Sequence, residues 1–197
     1  MINVMKSKKV KIVIDGMVFE IPSKGLRTTD YWGKPITPKV YANPPIAGTI
    51  VKQYIKKNYP HIECSVKSSS FANGNSLDVN LWMSDGSKVS NEIYNDVHSF
   101  AHIFEYGKYN GMYDIYEDYE QSGCKTDGGT EIEAGVKYVS VSNEPKCGSP
   151  AAFANSIKSM MRGEYVFGVV SKEEAVNRLC RFGYKRELVE KGLELVA

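Results

Sequence analysis

Positions 10–21, VKIVIDGMVFEI, leave the chain little local choice. Val10, Ile12 and Ile14 recur at every second residue, and Met17, Phe19 and Ile21 resume that spacing after Asp15-Gly16. A period of two lines one face of a strand, and Asp-Gly supplies the two positive φ angles of a type I′ turn. The stretch predicts a β-hairpin with one buried face. After it, residues 22–45 hold Pro22, Pro35, Pro38, Pro44 and Pro45 with little periodicity, and read as an irregular arm.

The periodicity then changes. In residues 44–60, Ala47, Ile50, Val51, Tyr54 and Ile55 form a helical stripe, with Pro45 in the first turn and Pro60 as the stop. Two strands follow, one with Ile62, Cys64 and Val66 and one with Leu77, Val79, Leu81 and Met83; Asn73-Gly74 is the expected corner. Val89, Ile93, Val97, Phe100, Ala101 and Phe104 mark a second amphipathic helix, with Ser90 as its cap. Strands are expected around 112–119 and at 135–142, with a polar loop over 121–134 between them. The order α-β-β-α-β-β predicts an α+β fold: a two-layer sandwich in which two helices cover a largely antiparallel four-stranded sheet. The hairpin precedes it and a small helical tail follows. In that tail Ser149-Pro150 and Ser171 to Glu174 are N-terminal signals, and Gly183 is a C-cap. The expected domains are residues 1–43, 44–146 and 147–197.

No apolar run reaches the ~20 residues that cross a bilayer. The N-terminal apolar run is interrupted by Lys11 and Asp15, so the sequence reads as a cytoplasmic protein with no membrane partner. Cys64, Cys124, Cys147 and Cys180 are scattered and lack metal-site spacing. Charge is unevenly placed. Residues 1–91 carry 13 Lys/Arg against 6 Asp/Glu, residues 92–120 carry 1 against 7, and residues 121–197 carry 11 against 10. Such asymmetry steers partners more than it shapes folds.

The stretches IKKNYPHIECSVKSSSFANGNSLDVNLWMSDG, YGKYNGMYDIYEDYE and VKYVSVS resemble the large polyvalent protein-associated domain 29 family over residues 45–142. The resemblance is carried by Tyr59-Pro60, Ser65, Val66, Ser68, Ser69, Gly74, Ser76, Val79, Asp85-Gly86, Asn110-Gly111-Met112, Asp114, Tyr116 and Tyr119. Asn110 stands where the family has Asp and Lys67 where it has Arg, and Trp82 falls one place late. The resemblance implies a phage or mobile-element setting, beside counter-defence and DNA-processing modules. It implies no catalytic residue and no cofactor.

His98, His102 and Glu105 stand along one helix ridge and could approach a metal, yet Ser99 occupies the place of the glutamate in H-E-x-x-H; exposed histidines explain them better, and no metal is expected. Ser68-Ser69-Ser70 lead into a turn, and His61 and Cys64 fall on opposite strand faces, so nucleophilic catalysis has no constellation. Phosphate-binding glycine motifs are absent, and a non-enzymatic protein is the expectation. Lys52, Lys56 and Lys57 on the first helix, with Lys67 on the next strand, could instead track phosphates, the alternative being a nucleic-acid-binding accessory protein.

The acidic stretch is the other candidate surface. Tyr109, Tyr113, Asp114, Tyr116, Glu117, Asp118 and Tyr119 combine broad aromatic area with carboxylates that repel phosphate and attract arginine. They suit a basic protein partner, such as a host defence or nucleoprotein component. They equally suit a sheet edge guarded by charge. A counter-defence, anti-CRISPR-like inhibitor is the function expected from the first of these readings.

Overall fold

Asp15 at φ 48° and Gly16 at φ 74° close the first hairpin, as the Asp-Gly pair predicts. A computed structural model describes residues 9–110, 115–118, 124–125, 131–164 and 168–196, with 107–110, 115–118 and 124–125 described by their backbone. Strands β1 (Lys9–Ile14) and β2 (Met17–Pro22) pair antiparallel, Ile14 opposite Met17. Ile12, Ile14, Phe19 and Ile21 are buried, so the alternating face is the core face. The chain forms two compact units. One contains the described residues to Pro60, Cys64–Val79 and Glu92–Ser142; the other contains His61–Glu63, Asn80–Asn91 and the described residues from Asn143 onward.

In the first unit the hairpin leads through a short 3-10 turn (Ser23–Gly25) to β3 (Leu26–Thr29) and β4 (Pro35–Ala42). Helix α1 (Pro44–Asn58) follows. Asn43 caps it, its side-chain oxygen accepting from the Ile46 N–H at 3.2 Å. All five residues of the predicted stripe are buried. Gln53 docks the helix on β2: its side-chain amide accepts from Glu20 N at 2.9 Å and donates to Glu20 O at 2.8 Å.

Strands β5 (Ile62–Phe71) and β6 (Gly74–Met83) are joined by a turn at Ala72-Asn73, one residue before the expected corner. Helix α2 (Asn91–His102) comes next. Then come β7 (Gly107–Asn110), β8 (Ile115–Asp118), β9 (Cys124–Lys125), β10 (Glu131–Ala134) and β11 (Tyr138–Ser142). Gly48 lets α1 approach the sheet, since a Cβ there would stand 3.1 Å from both Leu77 and Val66.

The fold is α+β, but its sheets divide differently from expectation. The predicted strands at 61–69, 76–83 and 135–142 form a three-stranded sheet in the order β11-β6-β5. Of the expected fourth strand, around 112–119, Ile115–Asp118 belong instead to a separate two-stranded hairpin, β7-β8. A further four-stranded sheet, β3-β4-β10-β9, is built from the segments read as an irregular arm and a loop. Within it β10 runs parallel to β4, Glu131 opposite Lys39 and Ala134 opposite Ala42. That pairing uses residues 39–42, beyond Pro35 and Pro38, so neither proline occupies a ladder position shared with β10. Proline density concealed a strand whose β10-pairing half is proline-free, while Pro35 sits opposite Thr29 on the β3 side.

The second unit contains α3 (Pro150–Met161), α4 (Lys172–Arg181) and α5 (Arg186–Glu194). Ser149 and Ser171 cap α3 and α4 through the N–H groups of Ala152 and Glu174, as the sequence predicts. Phe153, Ile157, Val176, Leu179 and Val189 form the shared core. Asn143 bonds both backbone groups of Val89, at 2.8 and 2.9 Å.

Helices α3 and α5 meet at Gly192, where an added Cβ would lie 2.6 Å from the Phe153 Cβ and 2.8 Å from the Pro150 carbonyl oxygen. Gly192→Ala should therefore destabilise the second unit by about 1–3 kcal/mol, because the obstacle includes backbone. Urea unfolding followed by circular dichroism measures it, and an unchanged midpoint would refute the close approach.

Candidate functional site

Just past α2 the chain is held to the segment before β11. Tyr106 N donates to Val136 O at 2.8 Å, and Val136 N donates to Phe104 O at 3.1 Å. Glu105 reinforces this anchor. One carboxylate oxygen accepts from Val139 N at 2.8 Å and the other lies 2.7 Å from His102 Nδ1. The acidic hairpin springs from this point. Its backbone register sets Tyr109 opposite Tyr116, Lys108 opposite Glu117 and Gly107 opposite Asp118. Four members of the expected binding strip, Tyr109, Tyr116, Glu117 and Asp118, thus belong to one antiparallel pair. Tyr113, Asp114 and Tyr119 lie outside the described residues.

The histidine ridge exists as expected: the His98 and His102 rings are 4.1 Å apart, with Tyr94 5.6 Å from His98. Burial, then the neighbouring His102, lowers the His98 pKa, against an opposing pull from Glu105. Both Glu105 oxygens are engaged in the bonds above. Among the described residues no group of three potential ligands could hold a metal.

The four lysines of the alternative surface do not share a face. Lys52 lines a small groove with Gly48, Val66 and Ser68, and Lys52 and Lys56 both act electrostatically on Cys64. Burial raises the Cys64 thiol pKa despite those two ammonium groups. Lys57 points elsewhere, donating to the Val18 carbonyl and standing 5.1 Å over the Phe19 ring. Lys67 differs from Cys64 and Val66 in strand parity and so takes the opposite sheet face. Only Lys52 and Lys56 remain as a pair. Helical spacing alone could not reveal the docking of Lys57 on the hairpin.

The arm β3–β4 presents a surface that the periodicity did not mark. Residues 30–34 form its tip, where Tyr31 is 94% exposed and Trp32 80%. The available signal was the Tyr-Trp pair itself, which has no alternating apolar neighbours. In the second unit a groove of about 730 Å³ is lined by Met160, Leu179, Arg178, Phe182 and Tyr184 among others. The apolar residues of the helical tail divide between its core and this groove.

A shared carboxylate joins α1 to α2 in the first unit. Tyr54 and Tyr59 both donate to the same Asp96 oxygen, each at 2.7 Å. Burial, then the Asp96 hydrogen bond and charge, push the Tyr59 pKa up to about 12; the same causes raise that of Tyr54 further.

No helix among the described residues is long and apolar enough to cross a membrane. A family model described as large polyvalent protein associated domain 29 matches residues 44–147. No curated protein and no solved structure matches the chain.

The raised tyrosine pKa values have a testable sign. The native state keeps protons that the unfolded chain releases from about pH 10. Their contribution is complete below that pH and is lost as pH rises toward about 12 for Tyr59. Spectrophotometric titration should show Tyr54 and Tyr59 ionising late, and Asp96→Ala should bring Tyr59 to lower pH and destabilise the protein by about 1–3 kcal/mol. A titration curve unaltered by that substitution would contradict the assignment.

Proposed function

The chain belongs to the large polyvalent protein associated domain 29 family, whose members are associated with phages and mobile elements, and from that premise we propose that it is a non-enzymatic binding protein that blocks a host defence component. The partner is a basic surface on a host nucleoprotein, met in the host cytoplasm by the acidic β7–β8 hairpin. The action is that of an anti-CRISPR-like inhibitor, by occlusion.

One observation carries this reading. The most acidic part of the chain, with one lysine against seven carboxylates over residues 92–120, includes its own two-stranded hairpin with Tyr109 opposite Tyr116. Tyrosines supply contact area at low entropic cost, while the carboxylates set orientation and association rate toward a cationic partner. The backbone bonds at Phe104, Tyr106 and Val136 provide a fixed root at one end of the hairpin. A surface that excludes phosphate and attracts arginine is suited to occupying a nucleic-acid-binding site on another protein.

Charge reversal tests it. Tagged protein should recover a basic partner from host lysate, and Glu117→Lys with Asp118→Lys should weaken that complex about 10-fold, with the native complex dissociating as salt rises. Circular dichroism of the variant should match the parent. A partner held equally well by both forms, or recovery of no basic protein, would sink the reading.

A further inference from the structure

We propose that the β3–β4 arm binds single-stranded nucleic acid, Tyr31 and Trp32 stacking on unpaired bases while Lys34 beside them meets the phosphates. This stands independently of the hairpin reading above, since it uses a different part of the chain.

The tip is held by its own hydrogen bonds. One Asp30 carboxylate oxygen accepts from the N–H groups of Trp32 and Lys34, each at 2.8 Å. Asp30 N donates to Lys34 O at 2.8 Å, and Gly33 N donates to Asp30 O at 3.2 Å. Gly33 takes φ 79°, which closes the turn. These bonds present two large aromatics outward from a fixed backbone. The rings touch edge to face, 5.4 Å apart and 88° inclined, and with their near-complete exposure they leave ring faces open to solvent. A lone exposed apolar residue needs no explanation; two adjacent large aromatics held outward are a contact surface.

The charge of the segment selects the occupant. Between Glu20 and Glu63 the sequence has Lys24, Arg27, Lys34, Lys39, Lys52, Lys56 and Lys57 against a single carboxylate, Asp30. That carboxylate already serves the two tip N–H groups. Arg27 and Lys39 form ion pairs with Glu133 and Glu131, which leaves Lys34 at the tip, Lys24 in the 3-10 turn and the lysines of α1. Aromatic faces beside ammonium groups match bases beside phosphates, the combination by which proteins hold single strands without reading sequence. A duplex keeps its base faces stacked and offers the rings nothing. A lipid surface is a poorer match, since Thr28, Thr29, Lys34 and Thr37 flank the tip where an inserting loop would carry apolar residues.

The experiment uses the whole chain and an end-labelled thymidine oligonucleotide of about 15 nucleotides. Fluorescence anisotropy at low salt should show saturable binding that falls steeply as salt rises, and a duplex of equal length should bind more weakly. Tyr31→Ala with Trp32→Ala should weaken binding about 10- to 100-fold, and Lys34→Glu should weaken it as well. Both aromatics are exposed, so the thermal unfolding midpoint should not change. Absence of binding to the oligonucleotide overturns the proposal, as does equal affinity of the double variant or of the duplex. Trp32-dependent binding to phosphatidylserine vesicles without binding to the oligonucleotide would also overturn it, and would assign the tip to a membrane surface.

Discussion

The Phe100 ring joins three elements of the first unit. It stacks on Tyr54 of α1 at 3.8 Å, lies 6.0 Å from Phe19 of β2 and meets Phe104 edge-on at 5.8 Å. Each such buried aromatic contributes on the order of 1.5–3 kcal/mol by removal from water, and their offset and edge contacts add to it. One turn before Phe100, Asp96 receives the hydroxyls of Tyr54 and Tyr59, so the stacked ring of Tyr54 is also fixed at its polar end. The placement of α2, and with it the start of the acidic hairpin, depends on this cluster.

From that anchor the charge pattern acquires a geometry. Glu105, just beyond α2, is spent on the Val139 N–H and on His102, and so serves the architecture rather than the outward acidic surface. The carboxylates further along belong to β8 and the segments around it. On the basic side, Arg27 and Lys39 are drawn into ion pairs within the β3-β4-β10-β9 sheet, and Lys57 is drawn onto the first hairpin. Exposed ion pairs of this kind add little stability, but they determine which charges a partner meets. The surfaces left to a partner are narrower than the linear charge count implies.

Local signals were legible where one segment satisfied itself. Asp15-Gly16 specified its turn through positive φ, Ser149 and Ser171 specified helix starts through side-chain acceptors, and the α1 stripe specified a buried face. The candidate strip was legible as composition and not as structure: Tyr109 and Tyr116 face each other across two strands of a hairpin. The phosphate-tracking lysines were read from spacing on α1, and the docking of Lys57 and the strand parity of Lys67 removed two of the four from that face.

By itself the sequence determined the first hairpin, the helices, the Ser149 and Ser171 caps, the family, and the separation of acidic from basic segments, because each depends on neighbours within about one helical turn or one strand. Tertiary structure alone decided that residues 39–42 pair in parallel with 131–134, that Asp96 gathers two tyrosines, and that Tyr31 and Trp32 stand in solvent. The reason is one of range. Parallel pairing and shared acceptors unite residues tens of positions apart, and no local period encodes which distant segment will satisfy a backbone edge or a buried hydroxyl.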